Sequence, residues 1–157
     1  MRRYWWVCAL VLLGCTTPSV EETALAIPGC QVGETMGTTP EMLEGVLLQS
    51  VLVTAEGEEA GYRIFADGRY QSKTINQDWT NGTDLMADQV DQVRTIITEA
   101  HFDQLDALYE PTQAGSDRNT LWMQAREAGQ LYQVAIVGSC EVPQIQTLSQ
   151  QLLEIFR

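Results

Sequence analysis

The residues able to do covalent or metal chemistry are few. The chain holds four cysteines (Cys8, Cys15, Cys30 and Cys140) and a single histidine, His101. A thiol beside an imidazole is the minimal nucleophile–base pair, and "GSCE" around Cys140 faintly echoes such a context. A lone Cys and a lone His without a local motif carry that pair poorly. The competing reading bonds Cys140 to Cys30 and leaves His101 exposed near a helix end. There is no G-x-S-x-G, so a serine nucleophile elbow is unsupported, and one histidine makes no zinc site. In "DWTNGTD", Asp78, Asn81 and Asp84 lack the spacing and the distal glutamate of a calcium loop, so turn hydrogen bonds are expected of them. No catalytic residue, metal or cofactor is assigned. Trp79, in a polar loop, and Trp122, on the expected wet face of a strand, are the candidate binding residues, because exposed tryptophans are over-represented among binding hot spots. The alternative is that Trp79 folds back onto the sheet and the N-terminal tether covers Trp122.

The head of the chain bears on the cysteines. Arg2 and Arg3 precede an apolar run from Tyr4 to Leu13. Its length is half of the ~20 residues a helix needs to cross a bilayer and fits the core of a signal peptide. The run ends Leu12-Leu13-Gly14-Cys15, which resembles the lipobox of bacterial lipoproteins. The resemblance implies that the Cys15 thiol is alkylated by a diacylglyceryl group and that residues 1–14 are removed. Thr16, rather than Asp, after the lipid cysteine implies release to the outer membrane, facing the periplasm. Two or three acyl chains anchor stably, at ~0.8 kcal/mol per buried methylene. No other segment is long or apolar enough to span a membrane.

Processing at Cys15 removes Cys8 with the signal and gives Cys15 to lipid. Cys30 and Cys140 remain as an even pair in an oxidising compartment, and one disulfide is expected. The formal net charge is −12, and −14 from residue 15 onward because Arg2 and Arg3 leave. Such a surface repels nucleic acid and anionic lipid heads, and suits cations or a basic partner as well as plain solubility.

These residues need elements to hold them. Residues 15–42 are rich in Thr, Pro, Gly and Glu with little periodicity, and read as the lipidated N-terminus and a flexible tether. Residues 43–157 suffice for one domain. "VLLQSVLVT", Val46 to Thr54, is β-branched and near-continuously apolar, an inner strand. "GYRIFADGRYQSKTI" is a hairpin about Asp67-Gly68. A two-residue loop pairs Phe65 with Tyr70. The preferred three-residue loop, with Gly68 left-handed, pairs Ile64 with Tyr70 and Tyr62 with Ser72, gathering the aromatics on one face. Val90, Val93, Ile97 and Ala100 form a helical stripe, and Phe102, Leu105 and Leu108 continue as a turn or 3₁₀ extension. A second hairpin turns at Ala128-Gly129 and pairs Ala125 with Tyr132, Met123 with Val134, and Trp122 with Ala135. Pro143 opens a last helix with Ile145, Leu148, Leu152 and Ile155 on one stripe. The order β-β-β-α-β-β-α predicts an α+β domain: a single antiparallel sheet of about five strands with two helices packed on one face. The loops Asn76–Ala87 and Glu110–Arg118 both adjoin hairpin ends and are expected near each other, forming with Trp79 a contact surface.

Over residues 60–156 the body resembles emfourin, a small bacterial inhibitor of protealysin-type metalloproteases. The segments that carry the likeness are "ITEAHFDQL", "SDRNTLWMQAREAGQLYQVAI" and Pro143 followed by leucines. The "IFADGRY" hairpin is similar to a domain of unknown function in secreted bacterial lipoproteins. The glycine-rich first hairpin of emfourin has no counterpart here, so no inhibitory residue carries over. Anchoring, acidity and the scarcity of nucleophile motifs favour a non-enzymatic module that binds an envelope protein, as inhibitor or assembly factor, with no nucleic acid partner. The alternative is a periplasmic enzyme with an unrecognised active site. A sugar or metal binder has no specific support.

Overall fold

A computed structural model gives the architecture and describes residues 26–34, 36–113, 115 and 118–156. The lipobox, Cys8 and Cys15 lie outside the described residues. The chain runs β1 (Cys30–Val32), β2 (Val46–Val53), β3 (Glu59–Phe65), β4 (Tyr70–Lys73), β5 (Thr80–Asn81), α1 (Ala87–Glu99), a 3₁₀ turn (Phe102–Gln104), β6 (Leu108–Pro111), β7 (Thr120–Glu127), β8 (Gln130–Val137) and α2 (Pro143–Ile155). The class is α+β as expected. The sheet has eight strands, in the order β1-β6-β8-β7-β2-β3-β4-β5. It is mixed rather than antiparallel, because β6 runs parallel to β8.

Both hairpins keep the register that their turn residues dictate. Ile64 faces Tyr70 and Tyr62 faces Ser72, with Gly68 at φ +91° closing the three-residue loop. Ala128 (φ 47°) and Gly129 (φ 84°) are both left-handed, the type I′ geometry that matches strand twist. Ala125 accordingly faces Tyr132, Met123 faces Val134, and Trp122 faces Ala135.

One face of the sheet carries the main core. Leu48, Ile64, Met123, Val134 and Ile136 pack with Val90, Val93 and Ile97 of α1 and with Ile145, Leu148 and Leu152 of α2. Both helices therefore cover the same face. α1 opens with the Met86 N–H donating to Gln89 Oε1 at 2.9 Å, half of a capping box. The Gln89 Nε2 in turn donates to the Ile155 carbonyl at 3.1 Å, tying the start of α1 to the end of α2. α1 ends at Ala100, followed by His101 in the left-handed region (φ 49°). β2 reads as continuously apolar because it is sandwiched on both faces. Leu48 points to the helices, while Val51 joins Leu108, Trp122 and Ala135 in a second cluster on the other side.

Part of the expected tether belongs to the fold. Ile27 is buried in the main core, β1 pairs antiparallel with β6, and Met36 packs on the second cluster. The physical reason is the disulfide together with a sheet face that needs covering. β6 replaces the expected continuation of the 3₁₀ spacing: the turn stops at Gln104, and from Leu108 the side chains alternate. Leu108 enters the second cluster and Tyr109 the main core. β5 is two residues set against β4, inside what composition marks as a polar loop.

Candidate functional site

The second face of the sheet is where the candidate binding residues come together. Its floor holds a polar ladder of unusual depth. Gln49 and Gln124 are 0% and 1% exposed. Buried amides cost ~1–3 kcal/mol each when unpaired, and here the partners come from two directions. Across the strands, Gln49 Nε2 donates to Gln124 Oε1 at 2.7 Å, and Arg63 Nε donates to Gln49 Oε1 at 2.5 Å. From above, residues 36–43 cross the sheet as a strap whose backbone carbonyls accept: Pro40 O from Gln124 Nε2 at 3.1 Å, and Glu41 O from Gln49 Nε2 at 3.2 Å. Arg63 also reaches Glu41 O, at 3.4 Å.

Trp79 and Trp122 both lie on this face, and neither stands out as a solvated hot spot. Trp122 is 3% exposed, which corrects the expectation of a wet strand face. Met36 of the strap and Trp79 pack against its cluster. Trp79 has turned back from its loop to lie half-buried, with the Arg63 guanidinium carbon 3.8 Å from its ring centroid, a cation–π arrangement. Burial pulls the Arg63 guanidinium below its ordinary value, against the opposing pull of Glu59 and Glu41. A cavity of about 280 Å³ remains between Gly37 and Thr38 of the strap and the Trp122–Ala135 floor.

β4 and β6, which lead into the two long loops, end at the same end of the sheet as the β2–β3 turn, while residues 114, 116 and 117 of the second loop lie outside the described residues. The Asn119 side chain takes the Ala55 N–H on one side of that turn. Asn76, Gln77 and Asp78 line an open depression with Gly57, Glu58 and Glu59 on the other. Trp79 itself packs on the second cluster of the strapped face.

Cys30 and Cys140 are disulfide-bonded, with Cα atoms 5.7 Å apart. A Cys140 thiolate nucleophile is thereby removed. His101 is exposed and serves the chain by ending α1 in a left-handed turn, its N–H donating to Thr98 O at 3.3 Å. Asp78, Asn81 and Asp84 are exposed, and Asn81 accepts from Gln71 at 3.0 Å. Among the described residues no three His, Cys, Asp or Glu side chains converge to hold a metal ion. None of their helices is long and apolar enough to cross a membrane. On the helix side, burial pushes the Tyr62 phenol up to about 12, with a Ser50 hydrogen bond pulling the other way and Tyr70 adding to the rise.

The strap and the glutamine ladder escaped the sequence reading. Gln49, an amide in an otherwise apolar inner strand, and Gln124, facing Gln133 one strand over, were the available signal. No family model matches the chain, and no curated protein or solved structure matches it either.

Proposed function

We propose that the chain is a bacterial envelope lipoprotein, anchored through Cys15 at the outer membrane, whose domain binds another envelope protein without turnover. The observation that carries this reading is the Cys30–Cys140 bond. It joins the two cysteines that remain once the lipobox reading removes Cys8 and lipidates Cys15, and disulfides persist in the oxidising space that the reading requires. The sequence features behind the binding role are the anchor, the acidity and the scarcity of nucleophile motifs. The emfourin-like segments make an inhibitor one form that such binding would take.

The address is tested by mass spectrometry of the protein from its native membrane, with an N-terminal lipidated Cys15 expected and Cys15→Ser accumulating as a larger, uncut precursor. An unmodified N-terminus at another residue overturns it. The binding role is tested by photo-cross-linking from exposed surface positions in intact cells, with one discrete envelope protein expected. A hydrolytic activity lost on changing His101 overturns the non-enzymatic reading.

A further inference from the structure

The outer face of the helix layer carries a groove of one charge sign. α1 and α2 lie side by side and antiparallel, since the Gln89 amide bridges Met86 at the start of α1 and Ile155 at the end of α2. Between them run two depressions of about 490 and 340 Å³. Both are lined by Gln151, whose Nε2 lies 3.5 Å from Glu99 Oε2. Asp88, Asp91 and Glu154 line the larger and Glu99 the smaller, over an apolar floor that includes Ile96 and Ile155. No Lys or Arg lines either. The ion pairs found among the described residues, Arg69–Asp67 and Lys73–Glu59, involve none of these carboxylates. At the smaller depression, Gln144 Oε1 is a buried acceptor without a partner.

The arrangement selects a kind of occupant. The carboxylates do not converge on a point, since no metal-holding trio forms among the described residues. They are spread along the helix instead: Asp88, Asp91, Thr95 and Glu99 recur at steps of three and four, so the first and last stand ~16 Å apart at 1.5 Å per residue. A row of acceptors over an apolar floor matches a segment with cationic side chains at helical spacing and apolar ones between them, the helix-in-groove mode of recognition. A second copy of this acidic chain and an anionic lipid surface both meet the groove with like charge, which charge complementarity disfavours.

Resting on the binding role proposed above, we infer that the α1–α2 groove is the docking surface for a basic amphipathic segment of the partner protein. The test uses full-length protein in detergent and a defined probe: a 15-residue helical peptide with lysines on one face and leucines on the other. The same peptide carrying glutamates for lysines is the comparison. Asp91→Lys with Glu154→Lys is expected to weaken lysine-peptide binding at least tenfold. Glu56→Lys with Asp78→Lys, the same change in net charge at exposed sites outside the groove, is expected to leave it within twofold. Asp88 is kept, because its charge also favours the start of α1. Circular dichroism of both pairs verifies that each is folded. Equal losses in the two pairs, or equal binding of the glutamate peptide, overturn the inference. So does absence of binding. The cross-linking experiment separates the two claims, since a partner caught equally well by the groove variant leaves the binding role standing and removes the groove from it.

Discussion

Gln49 and Gln124, 75 residues apart in sequence, share a 2.7 Å amide–amide hydrogen bond at the bottom of the strapped face. Each amide is then completed by a strap carbonyl, Glu41 O for Gln49 and Pro40 O for Gln124. The pair acts as a keyway. An apolar strip would let the strap slide, whereas two buried amides with fixed partners define one position for it. Gln49→Leu conserves volume but leaves Gln124 Oε1 and the Arg63 Nε without this partner. A loss of about 2–4 kcal/mol in urea unfolding is expected, the cost of stranding buried polar groups. Replacing both glutamines by leucine removes partner together with partner, and is expected to cost less than the sum of the single changes. Strict additivity would show that the amides do not act as a pair.

Ala128 occupies a left-handed position that its side chain does not favour, φ 47°, directly before Gly129. Asn is the residue that two-residue I′ loops prefer at this place. Ala128→Asn is expected to raise stability by about 0.5–1 kcal/mol without altering the Ala125–Tyr132 register. An upward shift of the thermal midpoint checks it, and the unaltered near-ultraviolet circular dichroism shows that the fold is kept.

The hairpins were legible because their turn chemistry is local. Asp67-Gly68 and Ala128-Gly129 fix the loop, and alternation fixes the rest of the register. The helices were legible through three- and four-residue apolar steps ending in buried Val93, Ile97, Leu148 and Leu152. What sequence could not supply was long-range pairing. β1 and β6 are three and four residues long; β1 is held by β6 and the disulfide, and β6 by β1 and β8, with little periodicity of their own. Leu108 continues the Phe102–Leu105 spacing so well that the switch to an extended chain leaves no mark. The same limit governed the candidate binding residues. Trp122 sits among Gln124, Arg126 and Gln133 on a strand face that alternation alone marks as wet. Its burial depends on a strap more than 75 residues earlier, whose composition says tether.

The Cys30–Cys140 bond closes a loop spanning 110 residues, and on the chain-entropy model such a bond contributes ~4–5 kcal/mol. It also fixes the approach to the strap, because β1 lies shortly before residues 36–43 in the chain. Cys30→Ser with Cys140→Ser is therefore expected to lower the unfolding free energy by up to that amount. It is also expected to red-shift tryptophan emission as Trp122 loses its cover. The measurement compares the oxidised protein, the reduced protein and the double variant. Stability and emission that stay the same in all three would mean that the strap holds through the glutamine ladder alone.

Tyr62 provides a handle on the other side of the sheet. Its ring lies 6.4 Å from that of Tyr70, which in turn lies 5.0 Å from Phe156, so the cluster joins β3, β4 and the end of α2. Burial raises the Tyr62 phenol from 10.0 to about 12, because a phenolate in this setting loses its hydration. Below pH 10 the phenol is protonated in both folded and unfolded chains and contributes no pH dependence. Between 10 and 12 the unfolded chain releases the proton and the folded chain retains it, so stability falls as pH rises. Two pH units at 1.36 kcal/mol each give a loss of about 2–3 kcal/mol by pH 12. Tyr62→Phe keeps the ring and removes the titration, so its stability is expected to decline less steeply over the same range. Tyr70 and Tyr109 are also raised by burial and remain in the variant, so the difference between the two curves isolates Tyr62. Urea unfolding at intervals from pH 9 to 11.5 measures that difference, and parallel curves would mean that the Tyr62 hydroxyl ionises in the folded protein as readily as in the unfolded chain.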